Sequence, residues 1–243
     1  MNGGPIFLGG LAFTGKTSLR IALSAHPRLV LTRHTALWTR HHGRYGDLAD
    51  PPNLDRCLSA LASDPASATL APDRRSIERE FRAGPATYAH LFDLVHRHHA
   101  ERLGKQRWGE QMGGSERHAD QVLTAYPTAQ MIHMVRDLDT WVAVAIATRS
   151  RRPGRLGREA ARWRESADLT ARNLRRYGDR YLVVRYEALC GDPDATVRAV
   201  AAFLQEDFHP AMISALAGVD LDDRRRRVVR TMRLAHLARG MRR

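Results

Sequence analysis

Lysine is almost missing from this chain. Of 39 Lys+Arg among 243 residues, only Lys16 and Lys105 are lysine. Where arginine is the default cation, a lysine marks a position that calls for a compact point charge. Cysteine is as scarce. Cys57 and Cys190 stand too far apart for a disulfide framework or a thiolate metal site, so no metal is expected and a reducing cytoplasm is. Aromatic residues make up 7% of the chain and do not alternate with basic ones as on a nucleic-acid platform. No nucleic-acid partner is therefore expected. No apolar run approaches the roughly 18–20 residues of a membrane span, which argues against stable insertion. The first core strand begins near residue 5, where a signal peptide does not fit, and this too points to a cytoplasmic protein.

What is present is charge and a normal core. The formal net charge is +13 and 43% of residues are hydrophobic. The charge implies an anionic partner, such as a polyphosphate cofactor or an acidic acceptor. The length fits one α/β domain, 1–243, with a helical insertion.

The chain is organised around Pro5 to Leu19. Ile6 to Leu8 read as a short strand, and an apolar-periodic helix resumes over Thr17 to Ala25. Between them Gly10 to Thr17 spell G-x-x-x-x-G-K-T, the phosphate-loop pattern. Such a loop turns backbone N–H groups inward, and the following helix adds its own unpaired N–H groups at the same spot. Gly10 and Gly15 permit close approach of an anion. Lys16 adds a full charge, and Thr14, Thr17 and Ser18 add hydroxyls.

Leu29 to Thr32 read as the second strand. Chemistry in an open parallel sheet gathers at the carboxyl ends of strands, which makes His34 the first candidate base. Residues 48–104 read as short helices broken by prolines, with Tyr88, Leu91, Phe92 and Val95 packing inward at helical spacing. The cluster His96, His98, His99 reads as a solvated helix end. Lys105 to Gln111 read as a short strand, Glu116 to Ala125 as a helix, and Gln130 to Val135 as the strongest interior strand, ending in Arg136-Asp137. An arginine there is placed to fork onto a phosphate. Trp141 to Thr148 form an apolar helix, Ser150 to Arg155 a basic loop, and Arg158 to Tyr177 a long helix. Tyr181 to Arg185 form the last strand, and a glycine–proline turn leads to helix Asp194 to Leu204. A basic helix closes the chain over 221–243. The fold class is a three-layer α/β phosphate-loop-like fold, with a central parallel sheet flanked by helices.

Four segments together resemble the PAPS-dependent sulfotransferase family, whose fold is related to that of phosphate-loop kinases. Ile6 to Leu19, with His26-Pro27 closing the helix, resemble its 5′-phosphosulfate loop. Arg107-Trp108-Gly109-Glu110 resemble the Trp-Gly-Glu stretch of bacterial members. Met131 to Asp137 resemble the 3′-phosphate strand, and Tyr181 to Glu187 with Gly191-Asp192-Pro193 resemble the R-Y-E-x-L … D-P segment. The chain departs from the family where Phe13 replaces a basic residue, Lys16 a Thr or Ser, Gln111 a lysine and Val144 a serine. Arg33, His34 and Thr35 stand where a glutamate base is usual.

The resemblance implies PAPS as cofactor, leaving as PAP, and sulfuryl transfer to a hydroxyl or amine of a small-molecule or glycan acceptor. Thr14, Gly15, Lys16, Thr17 and Ser18 would hold the 5′-phosphosulfate, Arg136 the 3′-phosphate, and Tyr186 would line the nucleotide pocket. Lys16 and His34 are the catalytic candidates, with Glu110 and Asp47 as alternative bases. The intact G-x-x-x-x-G-K-T keeps an ATP-dependent kinase or other NTPase as the first rival. A non-catalytic nucleotide- or polyanion-binding protein of the same fold is the second.

Overall fold

Five short, largely buried segments build the sheet, four of them mostly apolar and one, Arg-Trp-Gly-Glu-Gln, carrying two buried charged residues. They are Ile6–Gly9 (β1), Leu29–Thr32 (β2), Arg107–Gln111 (β3), Gln130–Val135 (β4) and Tyr181–Arg185 (β5). All pairs are parallel, in the order β2-β3-β1-β4-β5. Strands buried on both faces read as continuous apolar runs, and all of β1 is buried. In this computed structural model the described residues are 3–148 and 155–219. The basic loop expected at 150–155 falls outside them except for Arg155, and the basic helix expected at 221–243 lies wholly outside.

Helix α1 (Lys16–Ser24) follows β1. Between β2 and β3 run α2 (Pro51–Ser63), α3 (Pro65–Ala68), α4 (Arg74–Arg82) and α5 (Tyr88–Arg102). Asp64, Asp73 and Thr87 cap the last three by accepting from backbone N–H groups of their first turns. Then come α6 (Ser115–Ala125), α7 (Leu138–Thr148) and α8 (Arg155–Tyr177). The chain continues with α9 (Tyr186–Gly191), α10 (Pro193–Leu204) and α11 (Ala211–Ala217). Two of these are not expected from the sequence. Tyr186 to Gly191 coil into a helix instead of a plain turn, and α11 forms beyond α10. A π-helical turn, Leu37–His41, also follows β2, entered through Ala36 at φ 63°.

The strand period of two divides the core. Phe7, Trp108 and Met131 point to one face and pack with Leu54, Phe81, Leu91, Phe92, Val122 and Leu123. Ile6, Leu8, Ile132 and Met134 point to the other and pack with Leu19, Leu23, Val197, Val200, Met212 and Leu216. At the amino ends of the strands one buried guanidinium ties the elements together. Arg107 Nε donates to Gly4 O (2.7 Å), Nη1 to Leu204 O (2.7 Å) and Glu206 Oε1 (3.1 Å), and Nη2 to Gln130 Oε1 (2.6 Å).

β1 is central. The chain leaves it for one edge through α1, then crosses from β3 to β4 on its other side. That reversal opens a crevice over the carboxyl ends of β1, β3 and β4.

Candidate functional site

The loop from Gly10 to Gly15 occupies this crevice. Gly10 has φ 121°, and a Cβ there would lie 2.2 Å from Met134 O. Gly15, at φ 86°, is the N-cap of α1 and offers no side chain to its first turn. A Cβ at Gly15 would lie 2.4 Å from the Tyr186 ring. The loop therefore rests directly on β4 and α9, and the open first turn of α1 is left to an outside acceptor. Phe13 takes a left-handed conformation (φ 69°). Its carbonyl accepts from Arg136 Nη1 at 3.1 Å, and Trp141 Nε1 donates to Ala12 O at 2.7 Å.

Lys16 is folded into this loop. Its Nζ donates to Leu11 O at 2.6 Å and also to Gly10 O. Burial pulls its ammonium down to about 8, and the Glu116 carboxylate partly offsets that. A cavity of about 530 Å³ lies over the loop. Gly15, Lys16 and Thr17 line it from the loop and the start of α1, His34 from just past β2, Gln111 from the end of β3, Arg117 from α6 and Arg162 from α8. Among the described residues no carboxylate lines it. Arg117 holds Glu165 by a fork of 3.1 and 2.6 Å.

His34 is held from behind. Its side chain is 42% exposed, and its Nδ1 stands 3.6 Å from Glu110 Oε1. Its Nε2 shares a hydrogen bond of 3.3 Å with the Thr39 hydroxyl. Glu110, fully buried near the end of β3, accepts from Thr35 N–H at 2.8 Å. Its second oxygen faces His96 Nε2 at 3.6 Å. Burial alone would raise the Glu110 carboxyl, but His34, His96 and the Thr35 N–H outweigh it and hold it at about 2. The expectation of a solvated end at His96 is corrected here, since His96 is 1% exposed and faces inward from α5. It follows Phe92 by four residues and shares its buried face.

The other expected residues sit behind or beside the cavity. Arg136 is buried, with its guanidinium 4.3 Å over the Tyr186 ring and its carbonyl accepting from Trp163 Nε1 at 2.8 Å. Asp137 pairs with Arg185, not with Arg136. Thr14 Oγ1 donates to Leu11 O at 2.8 Å, and Thr14 shares with Arg136 a small cavity of about 20 Å³. Ser18 is buried in the first turn of α1. Asp47 lines a separate cavity with His42 and Tyr88, and its carboxylate accepts from Ala49 N–H at 2.9 Å. The cavity residues Arg117 and Arg162, and the partners Thr39 and Glu116, carry no local sequence signal of their role. Among the described residues no cluster of three His, Cys, Asp or Glu converges to hold a metal ion, and no helix is long and apolar enough to cross a membrane.

Comparison with known proteins places this arrangement. The profile of the sulfotransferase family matches residues 5–210. The sulfotransferase domain of the olefin synthase from Synechococcus PCC 7002 is similar in structure, with TM-score 0.58 and 23% identity, over 91% of this chain and 81% of that one. A sulfotransferase domain from the curacin biosynthetic pathway gives TM-score 0.55 and 15% identity, over 88% and 77%. A sulfotransferase from Mycobacterium tuberculosis H37Rv gives TM-score 0.53 and 17% identity, over 92% and 76%. At these identities the structural likeness speaks for the fold. No curated protein matches the chain by sequence.

Proposed function

This chain belongs to the sulfotransferase family, and on that premise we propose that it moves a sulfuryl group from PAPS to a hydroxyl or amine of a small-molecule or glycan acceptor, in line and without a metal ion. The observation that carries the reading is that Lys16 and His34 open onto one cavity with cationic walls. The residues fit a polyanionic donor. The first turn of α1 is uncapped, and among the described residues the Lys16 ammonium bonds only loop carbonyls, which an anion can replace. Thr14, Gly15, Lys16, Thr17 and Ser18 would hold the 5′-phosphosulfate, and Arg136 and Tyr186 the 3′-phosphate end. PAPS, when bound, supplies a sulfuryl group already activated by a phosphate leaving group.

His34 accepts the proton of the acceptor as the acceptor oxygen or nitrogen bonds to sulfur and the bond from sulfur to the bridging oxygen breaks. Glu110 orients the imidazole and stabilises the imidazolium that forms. Catalytic hydrogen bonds often tighten only when ligand is bound, and the 3.6 Å contact lies within reach of such tightening. Lys16 meets the charge that grows on the departing phosphate. Position and charge do most of the work in a loose, planar transfer of this kind.

Thermal unfolding with PAP, ADP and ATP, each with and without Mg²⁺, tests the donor. A ligand at about 100 times its Kd adds roughly 2.7 kcal/mol, or about 5–10 °C for a chain of this size. PAP is expected to stabilise without metal and more than ADP, and Arg136→Ala to abolish that preference. Stabilisation by ATP only with Mg²⁺, and no preference for PAP, overturns the reading in favour of phosphoryl transfer.

A further inference from the structure

The cavity over the loop has two sides, and the donor accounts for one of them. Lys16 and Thr17 open α1, which packs on the Ile6 face of the sheet through Leu19 and Leu23. The other side is built by Gln111 at the end of β3, Arg117 of α6 and Arg162 of α8. Helix α6 packs on the opposite, Phe7 face through Ala119, Val122 and Leu123, and α8 lies against α6.

Arg117 keeps one edge for the cavity. Glu165 takes the edge formed by Nε and Nη2, at 3.1 and 2.6 Å. Nη1 turns towards Gly114, another residue of the cavity wall, 3.9 Å from where a Cβ there would stand. Arg162 Nη1 lies 3.7 Å from Glu159 Oε2, beyond hydrogen-bond reach. Both arginine side chains are half-exposed, and neither Glu165 nor Glu159 lines the cavity. Gly114 enters α6 without a side-chain cap, so the first N–H groups of that helix add partial charge of the same sign. Among the described residues the buried amide oxygen of Gln111 has no hydrogen-bond partner. Ion pairing along α6 and α8 accounts for one edge of Arg117. It does not account for a second cavity wall whose charged side chains are all positive.

On the sulfuryl-transfer reading the charges of the donor are met by Lys16, the first turn of α1 and Arg136, which leaves Arg117 and Arg162 over. We infer that the acceptor is itself an acid, which presents a carboxylate, sulfate or phosphate group to Arg117 and Arg162 while its hydroxyl or amine reaches His34. The role of that acid as acceptor rests on the sulfuryl-transfer reading, but the anion site does not.

Probes that differ in one charge test it. A sugar-acid pair is para-nitrophenyl glucuronide against para-nitrophenyl glucoside. An aryl-acid pair is para-hydroxyphenylacetate against para-hydroxyphenylacetamide. Binding is read by calorimetry on the full chain, with PAP saturating and again without nucleotide, and transfer is read as kcat/KM from PAPS. In at least one pair the acid is expected to bind and to react about 10-fold or more better than its neutral twin, by a margin that shrinks as salt rises. Arg117→Gln and Arg162→Gln are each expected to remove most of that margin and to leave PAP affinity within about two-fold. Glu165→Gln frees the second edge of Arg117 and is expected to keep the margin or widen it. No acid ahead of its neutral twin overturns the inference. PAP affinity that collapses with either arginine also overturns it, by giving both to the donor. A margin lost as fully in Glu165→Gln as in Arg117→Gln overturns it too, because the ion pair and not the free charge would then matter. An acid preference carried by the arginines, in a protein that transfers nothing from PAPS, supports the anion site and rejects the sulfuryl-transfer reading.

Discussion

The ring of His96 lies flat against that of Trp108, 4.2 Å between centroids and 6° from parallel, with its edge turned to the Glu110 carboxylate. Trp108 is itself fixed by donating Nε1–H to Asp93 Oδ1 at 2.8 Å. A helix residue, two strand residues and a loop histidine are thereby locked into one line that ends at the cavity.

Glu110→Gln is expected to lower kcat while leaving PAP binding intact, because the carboxylate acts through His34 and not on the donor. Stability should respond as well. The folded carboxyl is held near 2, below its ordinary 4.5. Its contribution is therefore complete above about pH 4.5 and is lost as pH falls towards 2, on the order of 3 kcal/mol. Urea unfolding of wild type and variant across that window measures it. Equal acid sensitivity of the two would show that the ionised carboxylate contributes nothing to the fold.

His34→Ala is expected to cut kcat by about 10²–10⁴-fold, the usual worth of a positioned base. Stabilisation by PAP should persist, since in the proposed reading His34 serves the acceptor and not the donor. Full turnover in this variant would remove His34 from the mechanism and return attention to Glu110.

The rate should fall on the alkaline side. Burial sets Lys16 near 8, and kcat/KM reports groups of the free enzyme. A basic limb centred near pH 8 is expected, and Lys16→Ala should cost about 10²–10³-fold in kcat. A kcat/KM profile flat to pH 10 would mean that charge on Lys16 is not needed.

Arg107→Ala tests the fold rather than the site. It leaves Glu206, a buried carboxylate, with the half-exposed Arg28 at 3.4 Å in place of its buried cation and strips three further acceptors of their donor. A loss of about 3–5 kcal/mol in denaturant unfolding is expected, with the relative order of PAP and ADP stabilisation kept in whatever protein remains folded.

Most of the sheet was legible because β1, β2, β4 and β5 are mostly apolar runs, whereas β3 carries Arg107, Glu110 and Gln111. The predicted bounds of β2, β4 and β5 match the structure, and β1 gains only Gly9. The phosphate loop was legible because its spacing is local. The π-helical turn was not, because Ala36 takes a left-handed conformation that alanine does not advertise. Nor was the line from His34 through Glu110 to His96, whose members come from three separate elements that meet only through sheet register and helix packing. His96 did leave a trace, since it continues the apolar stripe of Leu91, Phe92 and Val95, but a histidine among arginines at a helix end reads more readily as solvated. Arg136 was legible as a strand-end cation, yet its contacts with Tyr186 and Phe13 are tertiary.

The two-faced core also bears on how such a protein diversifies. The helices between β2 and β3 pack with the Phe7 face, and α1 packs with the opposite one. Substitutions accumulating in residues 51–102 thus remodel the layer behind His34 while the layer beneath α1 keeps its packing. On the proposed reading, a different acceptor could then be accommodated with the phosphate loop unchanged.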